Sequence, residues 1–186
     1  MIAEFKGWPK IARLNREVIV SEKLDGTSVV LCITEDGHIH AGSRNRWLWS
    51  STDDKICNDH HGFAQWVRTN KDELMTLGVG YHNGEWMGQG IQRNYGLKEK
   101  RFYLFNTAKW TDDAVRPKCC HVVPILYRGL FDTVEIRRAL QYLAFDGSWA
   151  VPNFMNPEGI VVFHTHSGSM FKVTIKNDTK GKGENK

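Results

Sequence analysis

The sequence predicts an α+β fold in which antiparallel strands dominate and helices are few. Three observations carry this. Short runs rich in Val and Ile recur with turn residues between them. Only two segments show helical periodicity, and strands and helices do not alternate as they would in a doubly wound sheet.

The elements follow in order. EVIVSEK (17–23) and SVVLCIT (28–34) read as strands, and EDG (35–37) turns the second into HIHAGS (38–43). Residues 61–78 place apolar side chains at 63, 66, 67, 74 and 77, the spacing of an amphipathic helix stopped by Gly78. YHNGEWMGQG (81–90) and RFYLFNTAKW (101–110) return to strand character. DTVEIRRALQYLAF (132–145) is the second helix, with Asp132 or Thr133 as its cap. EGIVVFHTHSGSMFKVTI (158–175) reads as a hairpin turning at Ser167-Gly168.

With 186 residues, the chain is long enough for one domain with a substantial core, and no repeat or linker divides it. Hydrophobic content of 41% and charged content of 25% are ordinary for a globular protein. No apolar run of membrane-spanning length and no signal-peptide pattern is present, so a cytoplasmic protein with no membrane association is expected. Four cysteines without a secreted-scaffold rhythm read as reduced thiols. The net charge of +4 is compatible with a polyanionic partner but does not establish one. Lysines concentrate at the end, and residues 177–186 read as a solvated basic tail, leaving 1–176 as the folded domain.

The stretch that asks for an explanation is VSEKLDGTSVVL (20–31). Lysine is a poor strand former and Asp-Gly is a turn pair, so Lys23 is either an exposed hairpin residue or a nucleophile held at a strand end. A K-x-D-G match alone is weak. It is followed in order by AGSRNRW (41–47), GEW (84–86), RFYLFN (101–106), NPEGIVV (156–162) and MFKVTIK (170–176). The series resembles the collinear motifs of the covalent nucleotidyltransferases, the polynucleotide ligases and capping enzymes. It is most similar to the RNA ligase 2-like branch, because Glu22 precedes the lysine and Ser28 stands where DNA ligases usually carry arginine. The resemblance implies an ATP-grasp-like adenylation domain of antiparallel sheets flanked by helices. Only fourteen residues follow Lys172, so no OB-fold is expected after it.

The resemblance also implies a chemistry: an ATP-dependent RNA ligase joining a 5′-phosphate to a 3′-hydroxyl through a covalent lysyl-AMP. Lys23 matches the nucleophile, and desolvation, nearby cations and a bound metal are the means of activating such an amine. Lys172 matches the first lysine of the last motif. The second is usual at the position of Thr174, and Lys176 stands in for it two residues on, on the same face of a continued strand. Glu85 matches an acid that holds the ribose hydroxyls. Glu158 matches an acid that helps hold Mg²⁺ or Mn²⁺, as suits a metal that keeps most of its waters. Both acids are expected at the starts of strands, and the plainer reading of each is a surface carboxylate. Arg44 matches a ribose or phosphate contact, with Arg46 as the fallback because alternation puts it on the same face; a guanidinium fork on either suits phosphate. Phe105 matches an aromatic that stacks on adenine, against the plainer reading of a core side chain. Asn106 stands where the family commonly has Asp. Asp25 either touches substrate or metal or fixes the turn. Gly26 permits the turn beside the nucleotide, and Glu22 helps read the adenine amino group.

The expected partners are nucleic acid, namely RNA ends or a nicked duplex, engaged by a monomer. Two other readings stay open: a minimal DNA ligase sealing nicks, and a nucleotide- or nucleic-acid-binding module that has lost catalysis, which Thr174 and Asn106 favour. GTP-dependent capping is more distant. Cys57, His60, His61, Cys119, Cys120 and His121 fit no zinc-finger spacing. Trp47, Trp49, Trp66 and Trp86 read as core rather than as base-stacking platforms.

Overall fold

The structure, a computed structural model, describes residues 3–176 and 178. Apart from Asp178, the basic tail expected over 177–186 lies outside the described residues. Ten strands among them form two sheets. The strands are β1 (Glu17–Lys23), β2 (Thr27–Ile33), β3 (Ile39–Ser43), β4 (Trp47–Ser50), β5 (Gly80–Gly88), β6 (Lys100–Leu104), β7 (Cys120–Val122), β8 (Ile125–Leu130), β9 (Gly159–His164) and β10 (Ser169–Thr174). A four-stranded sheet runs β10-β9-β1-β8 and a six-stranded sheet runs β4-β3-β2-β5-β6-β7. Every pairing is antiparallel except β6 with β7. This is the α+β architecture that the sequence predicts.

The chain crosses between the sheets twice. The first crossing is the Leu24–Gly26 turn from β1 to β2, and the second is Val123-Pro124 from β7 to β8. The Glu22 amide donates to the Pro124 carbonyl at 3.0 Å, tying the two crossings together. β1 and β2 are therefore not a hairpin, although both read correctly as strands. Helix α4 (Thr133–Asp146) is capped by Asp132, whose side chain accepts from the Val134 amide at 2.7 Å. It lays Ala139 and Leu143 on Val18, Val20, Ile160 and Val162, one face of the four-stranded sheet. The six-stranded sheet is covered by Phe63, Val67, Leu74 and Leu77. A third cluster sits where the sheets meet and contains Leu24, Met87, Tyr95, Tyr103, Val123 and Val151.

Two elements differ from the periodicity reading. The segment 61–78 is not one helix but α1 (Phe63–Thr69), α2 (Lys71–Leu74) and a 3₁₀ turn, Met75–Leu77. Asn70 leaves helical geometry at φ −102°, ψ 17°, and its side-chain amide donates to the Trp66 carbonyl at 2.8 Å. A short polar side chain that bonds its own backbone competes with the helix. Gly78 does end the segment, at φ 80°. The second difference lies in 101–110, where the strand stops at Leu104 and α3 (Thr107–Trp110) follows. β4, β7 and β8 were not anticipated. Trp49 and Trp86 are core, while Trp47 is half exposed.

Candidate active site

Lys23 is the last residue of β1, at the first crossing. Pairing across the four-stranded sheet aligns Lys23 with Gly159 and Thr174, and Ser21 with Val161 and Lys172. Strand alternation therefore puts Lys23, Thr174 and Lys172 on one face and Val18, Val20, Ile160 and Val173 on the other, against α4. The lysine is not an exposed hairpin residue. Its side chain is 24% exposed, and Nζ lies 2.6 Å from Glu158 Oε2. Glu158 immediately precedes β9, as expected for an acid at a strand start.

Glu85 lies within β5 rather than at its start, and it sits directly across from Ser28 on β2. It is 8% exposed. Its Oε1 accepts from the Gly26 amide at 3.0 Å and its Oε2 from the Ser28 hydroxyl at 3.3 Å. Arg44 Nη2 donates to the same hydroxyl at 3.1 Å. Burial pushes the Glu85 carboxyl up to about 7, against the Gly26 hydrogen bond and the Lys23 charge, both of which lower it. Gly26 is needed for close approach, since a Cβ there would stand 2.4 Å from the Trp86 carbonyl oxygen of β5. Lys23, Asp25, Gly26, Ser28, Arg44 and Glu85 line an open cleft of about 420 Å³. The turn at 44–46 sends Arg46 into a separate pocket beside His60 and His61.

The remaining expected residues divide. Phe105 belongs to none of the three cores and is 42% exposed, on the β6 face that carries Tyr103 opposite Glu85. It is not a core aromatic. Lys172 is exposed, on the Lys23 face. Lys176 does not continue the strand, because β10 ends at Thr174, whose hydroxyl donates to the Lys176 carbonyl at 2.9 Å. The Lys176 Nζ reaches Asn156 Oδ1 at 3.5 Å, near the segment that carries Glu158. Glu22 points away from Lys23 and is 1% exposed. Its Oε2 accepts from the Trp149 and Ala150 amides, both at 2.9 Å, while Oε1 is buried without a partner. Burial raises its pKa more than those hydrogen bonds lower it. Asn106 caps α3, its side chain accepting from the Lys109 amide at 3.2 Å. Cys120 packs in the core and His121 stacks on Tyr103 with centroids 4.9 Å apart.

The sequence reading missed Arg93 and Tyr95, which lie in the loop between β5 and β6. Arg93 Nε stands 2.8 Å from Asp25 Oδ2, and the Tyr95 hydroxyl accepts from the Asp25 amide at 2.9 Å. The only signal for them was the glycine-rich GQGIQRNYG, which reads as a loop.

The arrangement gathers an amine, three carboxylates (Asp25, Glu85 and, through its bond to Lys23, Glu158) and cationic side chains around one cleft. Such a set suits a nucleoside phosphate: acids for hydroxyls and metal, cations for phosphoryl oxygens. Among the described residues no three His, Cys, Asp or Glu side chains converge as a metal cage. The donor set present fits a Mg²⁺-type ion, which binds through few carboxylates with water and phosphate completing its shell.

Comparisons with known proteins agree with this geometry. A variant of Naegleria gruberi RNA ligase in its apo form is 28% identical with a TM-score of 0.57, covering 86% of this chain and 50% of that one. A variant of the same ligase with AMP and Mn is 26% identical, TM-score 0.59, over 87% of this chain and 50% of that one. Another, with ATP and Mn, is 25% identical, TM-score 0.60, over 86% and 49%. The chain thus spans about half the length of these relatives. No functionally curated protein matches the sequence. The family model for RNA ligase matches residues 16–174, which contain all ten described strands, and the chain belongs to the RNA ligase family.

Proposed function

We propose that the protein is an ATP-dependent RNA ligase that joins 5′-phosphate and 3′-hydroxyl ends through lysyl-AMP on Lys23. The observation that carries this is Lys23 itself. It is fixed at a strand end, bonded to Glu158 and facing the cleft that Glu85 and Arg44 line. The family match and the relatives solved with ATP, AMP and Mn support the reading.

In the first step the Lys23 amine attacks the α-phosphorus of ATP. An N–P bond forms as the bond to pyrophosphate breaks, and the amine proton leaves. Glu158 Oε2, at 2.6 Å, is the carboxylate placed to receive that proton. Glu85 accepts the ribose hydroxyls, and its hydrogen bond to the Gly26 amide keeps the sugar end of the cleft in register with the Lys23 turn. Arg44 and Lys172 present positive charge to the phosphoryl oxygens, whose charge grows in the transition state. Phe105 offers its exposed ring to adenine. Bound Mg²⁺ or Mn²⁺, held through Glu158, supplies further neutralisation of phosphate charge. AMP then passes to the 5′-phosphate of RNA and is displaced by the 3′-hydroxyl.

The reading takes residues 1–176 as the adenylation domain and the protein as a monomer acting in the cytoplasm. Its four unpaired thiols favour that compartment, and no described helix is long and apolar enough to cross a membrane. Thr174, which pairs with Gly159 on the Lys23 face of the sheet where the family usually has lysine, favours one second reading: a binding module without catalysis. Intact mass decides between them. Protein stripped with pyrophosphate and then given ATP and Mg²⁺ is expected to gain one AMP less water, and Lys23→Ala is expected to gain nothing. Folded, stripped protein that binds ATP without a mass gain would overturn the ligase reading. Nicked RNA and nicked DNA supplied in parallel separate an RNA ligase from a DNA ligase.

A further inference from the structure

The loop between β5 and β6 is held in a costly conformation. Gln92, Asn94 and Tyr95 adopt φ of 43°, 62° and 53°, within a stretch where Gly88, Gly90 and Gly96 are also positive. Left-handed geometry at a tyrosine persists only where surrounding contacts over-determine it. Here those contacts are Ile91 and Tyr95, 1% and 2% exposed, anchored in two different core clusters. Tyr95 also stacks on Phe154, with centroids 4.5 Å apart.

The strained loop delivers Arg93 to a specific place. Its Nε lies 2.8 Å from Asp25 Oδ2, an ion pair that is not aligned as a hydrogen bond, and its Nη1 donates to the Asn156 carbonyl at 3.2 Å. Asp25 is two residues after Lys23 and Asn156 two residues before Glu158. One rigid guanidinium thus spans the two segments that present the Lys23–Glu158 pair, at equal offsets from each. The Tyr95 hydroxyl holds the Asp25 amide from the same loop. Asp25, whose role the sequence leaves open, is the anchor on the Lys23 side.

We infer that Arg93 is a positioning residue for nucleotidyl transfer, a strut that sets the distance between the Lys23 turn and the Glu158 segment. The inference rests on the lysyl-AMP reading for its rate effect but not for its geometric effect. A lysine in its place can pair with Asp25 but lacks the fork needed to hold both segments.

Two measurements on the full chain test this. Single-turnover formation of lysyl-AMP in Arg93→Ala is expected to fall on the order of 10- to 100-fold at saturating ATP, as small misplacements of reacting groups do. Half-saturation by ATP stays near the wild-type value, and Arg93→Lys falls between the two. Separately, with no nucleotide present, acylation of Lys23 by an amine-reactive ester, read by peptide mass, is expected to rise several-fold in Arg93→Ala. It should not rise in Arg138→Ala, which removes only the Arg138–Glu135 pair on α4. Wild-type transfer and labelling in Arg93→Ala would overturn the strut, as would a defect confined to ATP half-saturation. Raised labelling in a protein whose wild type forms no adduct would overturn the ligase reading and leave the strut standing. If Arg93→Ala does not fold, Arg93→Lys carries both comparisons.

Discussion

Glu85 combines burial with two hydrogen bonds that it accepts, from the Gly26 amide and the Ser28 hydroxyl. Its carboxyl titrates near 7 in the fold and near 4.5 when exposed. A carboxyl whose pKa is raised in the folded state contributes stability that is complete below the unfolded value and lost as pH rises through the folded one. Ionising Glu85 therefore costs stability between pH 4.5 and about 7, up to about 3 kcal/mol for the full shift. Glu85→Gln keeps an acceptor for the Gly26 amide and cannot ionise. Its urea midpoint is expected to change less than the wild type's across pH 5 to 8, and equal pH profiles would remove Glu85 as the source. The candidate residues that meet at the cleft were legible because the motifs that resemble the family keep a fixed order along the chain. Arg93 and Tyr95 were not. Their partner Asp25 lies 70 residues before Tyr95, and a turn-rich loop carries no periodic signal.

Among the elements, α3 shows how a single departure from a family pattern acquires a local purpose. Asn106 stops β6 and starts a helical turn by accepting from the Lys109 amide. Asn106→Ala is expected to cost about 1 kcal/mol of stability, as lost caps do, while leaving lysyl-AMP formation unchanged. Thermal denaturation and adduct mass together check this, and a selective loss of adduct would give Asn106 a chemical role. α4 was readable because its apolar spacing and Asp132 cap agree with each other. The break at Asn70 was not, because the apolar positions stay in phase across it and only a side-chain bond to Trp66 interrupts the helix.

At the scale of the molecule, the three cores have separate duties. Leu143 joins α4 to the four-stranded sheet, whereas Leu24 belongs to the cluster where the sheets meet, directly after Lys23. Burial is nearly complete for both, so truncation to alanine is expected to cost each roughly 2–5 kcal/mol. The effects on chemistry should separate them. Leu143→Ala is expected to form lysyl-AMP at the wild-type rate once folded, and Leu24→Ala is expected to be slow even where it is fully folded. Equal rates would show that the junction supports the fold without aligning the cleft. The partition into two sheets was beyond the sequence, because every strand run reads alike and the partners of β1 lie more than a hundred residues away.

That distance also sets an order of assembly. β2 and β3 form a local hairpin, β4 joins β3 and β5 joins β2 soon after, so most of the six-stranded sheet grows from near neighbours. β1 has no partner until residues 125–130 and 159–164 have been made, and it then enters between them. Long-range pairings of this kind are the slow part of folding. Of the described strands, β1 is made before the others and seated late, so the turn that carries Lys23 gains its full frame only once residues 159–164 have been made.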